Sequence, residues 1–217
     1  MKKKLFKRIL SSIVLIPIVL FFIIKGSYIF ICFILTCFAI TAYEWHKISV
    51  NKTNYTIGFL FLIFSFYTAY ELRDFNQNYH YFLFVLSICV LTDLGGFIFG
   101  KIFKGPKLTK ISPKKTYSGM IGGYLLPLIL LKIFYVSPYN FTEKIELSFE
   151  SIIFIVLVSS ISQLGDIFIS YFKRVSNVKD SGNIIPGHGG LLDRVDGMIF
   201  AFPSSYIILK LSFIEHI

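Results

Sequence analysis

Apolar runs about as long as a bilayer is thick recur along this chain, and they leave it very few ways to fold. They read approximately as Ile9 to Ile24, Ser27 to Tyr43, Tyr55 to Leu72, Tyr81 to Phe103, Met120 to Val136, Ile152 to Phe172 and Leu191 to Ile214. Each comes near the roughly 20 residues that a transmembrane helix needs. In hydrocarbon a helix satisfies its own backbone hydrogen bonds, whereas loops and open sheet edges cannot. The expectation is an all-α polytopic membrane protein with about seven transmembrane helices. A water-soluble domain of 217 residues, 55% hydrophobic and only 16% charged, would have no interior large enough for its apolar sequence.

The first run follows a basic head, Met1 to Arg8, and no A-x-A-like cleavage site comes after it, so it is read as a membrane helix rather than a signal peptide. Pro17 inside it predicts a kink or a shallow insertion. With the amino terminus placed inside, most of the 22 Lys and Arg residues fall in segments on the cytoplasmic side. The amino terminus is therefore expected in the cytoplasm. The formal charge of +10 does not point to nucleic acid, because apolar segments separate the cations.

Cys32, Cys37 and Cys89 lie in apolar runs with no paired spacing, and His46, His80, His188 and His216 form no zinc pattern. Glu44 and Trp45 end the second run, where interfacial anchors are expected, a role in a site being the lesser alternative. With no internal repeat, one integral domain over 1–217 is the simplest organisation, residues 1–80 being generic helices and 81–217 the catalytic half.

The most unusual polar stretch runs from Gln163 to Gly197. On a helix at about 100° per residue, Asp166, Ser170, Lys173 and Arg174 form one stripe. Asp193 and Asp196 are three apart, so they share a face of the next helix. Side-by-side packing would bring three carboxylates together, with Lys173, Arg174, Lys179 and Arg194 around them. An ion pair between Asp166 and Lys173 or Arg174 is the plain reading. Three anions at one depth repel unless a cation joins them, and hard oxygen ligands suit Mg²⁺ together with substrate phosphates. Between the acids, Gly182, Pro186, Gly187, Gly189 and Gly190 make a loop able to bend closely around a ligand. His188 in that loop either contacts a phosphate or base or merely fixes a turn.

A second cluster spans Asp93 to Lys101 and Ile111 to Gly123. Ser112 and Pro113 read as a helix cap and first turn, which would set Lys114, Lys115 and Thr116 at the positive end of a helix dipole. The same lysines also fit a positive-inside anchor. Asp93, inside the fourth run, must face a partner or a polar cavity. Residue chemistry thus reaches a cytoplasm-facing, metal-dependent membrane site acting on phosphate compounds.

The stretch S-Y-F-K-R-x4-K-D-S-G-N-I-I-P-G-H-G-G-L-L-D-R-V-D, Ser170 to Asp196, resembles the signature of the phosphatidate cytidylyltransferase family. Asp93 to Gly123 is similar to that family's D-x-G-[AG]-[YF]-x-x-G-[KR] and S-P-K-K-T-x-E-G patterns, and the resemblance covers about half of the chain. It implies a multi-pass enzyme of the bacterial inner membrane that joins CTP to phosphatidic acid, gives CDP-diacylglycerol and pyrophosphate, and uses Mg²⁺. Carried over by position, Asp166, Asp193 and Asp196 are the metal-binding and catalytic acids, with Lys173 and Arg174 beside them in the catalytic group. Ser170, Lys114, Lys115, Lys179, His188, Gly189 and Arg194 are the substrate contacts. A homodimer is one assembly open to it. Ser118 departs from the pattern, standing where the family usually has Glu, and the chain is short for the family, as if a helix pair were missing from its first half.

The rival readings are another CTP-using lipid enzyme, such as a CDP-archaeol synthase or a polyprenol kinase, an inactive paralogue, or a transporter. A transporter would spread its acids across the membrane's depth. Here they gather at one face.

Overall fold

The structure is a computed structural model that describes residues 2–49, 52–75, 78–109, 111–136, 148–185 and 189–211. Its helices are α1 (Lys2–Lys25), α2 (Ser27–Ile48), α3 (Lys52–Arg73), α4 (His80–Phe103), α5 (Tyr117–Val136), α6 (Phe149–Val175), α7 (Leu192–Val195) and α8 (Met198–Lys210). Among the described residues the only β pairing is two isolated antiparallel bridges, Lys107 with Thr116 and Ile185 with Gly189. The all-α expectation is met. Helices α2, α3, α4 and α6 are long and apolar enough to cross a membrane, while Ile13–Lys25, Tyr117–Ile129 and Met198–Lys210 are shorter apolar stretches.

The surface is inverted relative to a water-soluble protein. Large apolar side chains face outward on every long helix, among them Phe21, Leu35, Leu60, Phe97, Ile129 and Leu164. Inside lie Thr41, Glu44, Ser65, Thr68, Thr92, Ser159, Ser162, Lys173 and Ser205. That arrangement suits a hydrocarbon solvent, where polar groups must find partners within the protein.

Two apolar clusters hold the bundle. The larger joins Phe30, Phe82, Phe84, Val85, Phe154 and Val158 with residues of α1, α3 and α8. At the same end Arg73 donates from Nε to the carbonyl of Ile23 at 3.2 Å, which closes the last turn of α1. The smaller cluster, Trp45, Ile48, Leu62, Ile169, Leu192 and Ile199, sits where α2, α3, α6 and α7 meet. It forms the floor beneath the polar end of the molecule.

The seventh expected span is not one helix. It breaks into the single turn α7 and the 13-residue α8, with Asp196 and Gly197 between them. Asp196 and Gly197 keep helical angles, φ −56° and −72°, so the chain interrupts its hydrogen-bond ladder there without leaving the helical region. The end of that span, Phe213 and Ile214, lies outside the described residues. The helix start at Ser112 is also corrected. Ser112 to Lys115 form a turn, with Lys115 N–H donating to the Ser112 carbonyl at 3.0 Å, and α5 begins at Tyr117. Thr116 takes over as the cap, its hydroxyl oxygen accepting from Gly119 N–H at 3.1 Å.

Helices α4 and α5 approach to backbone contact through glycines. A Cβ at Gly95 would run into the Gly122 carbonyl, 2.7 Å from its carbon and 3.1 Å from Gly123 Cα. Backbone cannot yield as a side-chain tip can, so Gly95→Ala is expected to destabilise the protein by about 1–3 kcal/mol, the usual cost of overpacking. Thermal unfolding in detergent measures it. The substitution at Gly96, where the nearest atom would be 3.7 Å away, is the neutral control.

Candidate active site

Helix α6 is the spine of the site. Ser148 and Ser151 cap it reciprocally, each side chain accepting from the other's backbone N–H at 3.1 Å. Lys173 and Arg174 complement the dipole in its last turn, and Asn177 ends it in the left-handed region at φ 56°. The stripe read from periodicity then divides. Asp166 and Lys173 turn into the protein, whereas Arg174 is exposed and donates to the Val178 carbonyl at 3.2 Å. Arg174 therefore finishes its own helix and does not join the acids. Ser170 is half-buried on the same face.

Lys173 is the central cation, buried and 2.8 Å from Asp193 Oδ1 and 3.7 Å from Asp196 Oδ2. Asp193 is fully engaged. Its second oxygen accepts from the N–H groups of Ser181 (2.8 Å) and Gly190 (3.0 Å). The Lys173 ammonium and these two N–H donors favour its charged form and offset the cost of its burial. Asp193 is thus a clasp for the loop that returns from α6.

Asp166 and Asp196 form the other pair. Asp166 Oδ2 accepts from Lys115 Nζ at 3.0 Å, while Oδ1 is buried with no donor. The Asp196 carboxyl lies within hydrogen-bonding reach of Asp166. Asp93 approaches Asp166 from α4, with the charge of Arg194 acting on it. Its place inside an apolar run marked Asp93 as needing a polar partner, but only packing identifies that partner.

Two glycines permit this meeting. A Cβ at Gly197 would lie 2.9 Å from the Ser162 carbonyl oxygen and 3.0 Å from Asp166 Oδ1, and one at Gly165 would lie 3.0 Å from the Asp196 carbonyl oxygen. Small residues at these two places let α6 and the start of α8 touch.

Among the described residues no group of three His, Cys, Asp or Glu side chains could hold a metal ion by itself. The expected trio is divided, since Asp193 is saturated by Lys173 and two N–H groups. Asp166 and Asp196 remain, and the unpartnered Asp166 oxygen is what a cation would relieve. Two carboxylates completed by phosphate oxygens is a normal Mg²⁺ set.

The other expected contacts scatter. Lys115 reaches the acids, but Lys114 and Lys179 are exposed. Gly189, at φ 91°, has its carbonyl bonded to Ile185 N–H at 2.9 Å, and a Cβ there would be 2.8 Å from Asp193 Oδ2. His188 lies outside the described residues. Ser118 donates to the Lys104 carbonyl and shares a hydrogen bond with Thr116 at 3.0 Å, so it ties the α4–α5 connection instead of offering an acid.

Residues 53–212 match the model of the cytidylyltransferase family. The chain is 37% identical to a phosphatidate cytidylyltransferase of Rickettsia felis over 219 aligned positions, 95% of this chain and 93% of that protein. It is 35% identical to a protein of the same name from Rickettsia typhi, covering 93% of this chain and 90% of the relative. A third, from Staphylococcus aureus, is 42% identical over 155 residues, 70% of this chain but 54% of that protein. The shortness noted in the sequence holds against the staphylococcal protein and not against the rickettsial ones.

Proposed function

The chain belongs to the cytidylyltransferase family, and we propose that the Asp166–Asp196 pair, flanked by Lys115 and Lys173, is where it carries out its reaction. It is a membrane-embedded nucleotidyltransferase that transfers CMP from CTP to phosphatidate, giving CDP-diacylglycerol and pyrophosphate. The observation that carries the site is the buried Asp166 Oδ1, left without a donor beside a second carboxylate.

A phosphatidate phosphate oxygen attacks the α-phosphorus of CTP. The bond to the bridging oxygen of the β-phosphate breaks, and pyrophosphate leaves with that electron pair. Phosphate monoesters have a second pKa near 6, so the lipid phosphate is mostly dianionic at neutral pH and needs no general base. The chain's own contribution is positioning and charge. Lys115 offers a cation to the phosphates, while Lys173 holds Asp193 and the N–H groups drawn up by Asp193 keep the loop in place. Mg²⁺ held by Asp166 and Asp196 would supply neutralisation of charge on the transferring and leaving phosphates.

An apolar groove lined by Leu164, Gly165, Ile167, Phe168, Tyr171 and Phe200 flanks Asp166 in sequence and supports lateral entry of the lipid's acyl chains. The cluster of basic residues at the same end supports a site facing the cytoplasm in a bacterial inner membrane.

The test follows pyrophosphate release from CTP by the purified protein in detergent, with and without phosphatidic acid, in Mg²⁺ and in EDTA. Release is expected only when lipid and metal are both present. Release without lipid, or undiminished in EDTA, overturns the reading.

A further inference from the structure

Resting on that reading of the site, we propose that Glu44, from the amino-terminal half, is a positioning residue for the acidic pair. Interfacial solvation was expected for it. Instead it is 1% exposed, just before the last turn of α2. Neutral donors hold it. Oε1 accepts from Leu191 N–H at 3.1 Å, and Oε2 from Leu192 N–H at 2.7 Å and the Ser181 hydroxyl at 2.9 Å.

Those donors belong to the same short strip that Asp193 clasps. Ser181 gives its hydroxyl to Glu44 and its N–H to Asp193, and Gly190 gives its N–H to Asp193. Gly182 and Gly190 are pressed against the carboxylate, since a Cβ on either would come within 2.5 or 2.6 Å of Glu44 Oε1. Leu192, fully buried in the floor cluster, fixes the strip from below. Glu44 and Asp193 therefore both grip Ser181 and the Gly190 to Leu192 stretch, and Asp196 follows Asp193 by a single turn. A buried carboxylate accepting three hydrogen bonds sets position far more sharply than an apolar residue of the same volume would. Glu44 also precedes the matched span 53–212, so the catalytic machinery extends into helices that looked generic.

Glu44→Gln keeps the shape but turns a donor toward groups that are themselves donors. Three readouts on the full-length protein decide. Amide hydrogen exchange at Leu191 and Leu192 is expected to rise by roughly 10-fold or more, from the loss of a charge-assisted hydrogen bond. Turnover should fall roughly 10- to 100-fold, as for other residues that orient metal ligands, and the half-saturating Mg²⁺ concentration should rise. The KM for phosphatidic acid should not change. Exchange that rises while turnover and Mg²⁺ response stay at the parent's values means a purely structural role and overturns the proposal, as does parental exchange. If the variant does not fold, Ser181→Ala removes one of the donors and is expected to shift all three readouts the same way, by roughly 5-fold; a parental profile there overturns it equally. Exchange does not depend on the reaction. A parent protein that releases no pyrophosphate would sink the functional reading and leave the exchange arm to decide the grip.

Discussion

Asp166→Asn is expected to abolish pyrophosphate release, with turnover falling by roughly 10³-fold or more, while thermal stability changes little. Both halves follow from the geometry. On the proposed reading the Asp166 oxygen that lacks a donor is a ligand for the cation, so neutralising it would remove a ligand from the reacting centre. Charge neutralisation at a transferring phosphate is worth several kcal/mol, and about 4 kcal/mol corresponds to three decades of rate. The fold is expected to change little, because relief of the crowding by Asp196 and Asp93 is set against the partner that Lys115, a lysine still partly open to solvent, loses at 3.0 Å. Active-site groups that repel one another are a common place where stability is given up for function. Turnover within tenfold of the parent, or a clear loss of thermal stability, would remove Asp166 from this role.

Lys173→Met has the opposite profile. Here the expected damage is to the fold itself, about 3–5 kcal/mol of stability, the cost of stripping one partner from a buried ion pair. The Lys173 and Asp193 side chains are only 9% and 6% exposed, so water cannot replace the lost cation. Asp193 would keep the N–H groups of Ser181 and Gly190, which sets the loss below that of a fully abandoned charge. Thermal unfolding in detergent, read beside Arg174→Met, separates the neighbours: Arg174 is exposed and closes its helix end, so its loss should be worth less than about 1 kcal/mol. Equal effects of the two substitutions would contradict the division of roles along α6.

The contrast between Lys173 and Arg174 marks how far periodicity reaches. A repeat of about 100° per residue puts Asp166, Ser170, Lys173 and Arg174 on one broad stripe, and they are there. Whether a residue at the stripe's edge turns inward depends on the neighbouring helix, which the repeat does not describe. Lys114 and Lys115 differ for the same reason. A cap at Ser112 is locally sound, but Leu108 N–H takes the Lys115 carbonyl at 2.8 Å and Thr116 offers the better cap, so only Lys115 is aimed at Asp166. Glu44 lies furthest beyond that reach. An acid beside a Trp at the end of an apolar run looks interfacial, and nothing within ten residues of it reveals that its donors lie at Ser181, Leu191 and Leu192.

By itself the sequence determined the membrane class, the helical architecture, the family and the gathering of acids and cations at one end. Those depend on properties that accumulate along the chain, hydrophobic length and residue spacing, and no packing is needed to read them. The tertiary structure alone decided which acids meet. Glycine contacts at Gly165 and Gly197 bring Asp166 against Asp196, and Lys173 with two backbone N–H groups draws Asp193 away into the loop. Close approach is a property of two surfaces together, set by the absence of a side chain on one and the depth of the groove on the other, and a one-dimensional pattern carries only half of it.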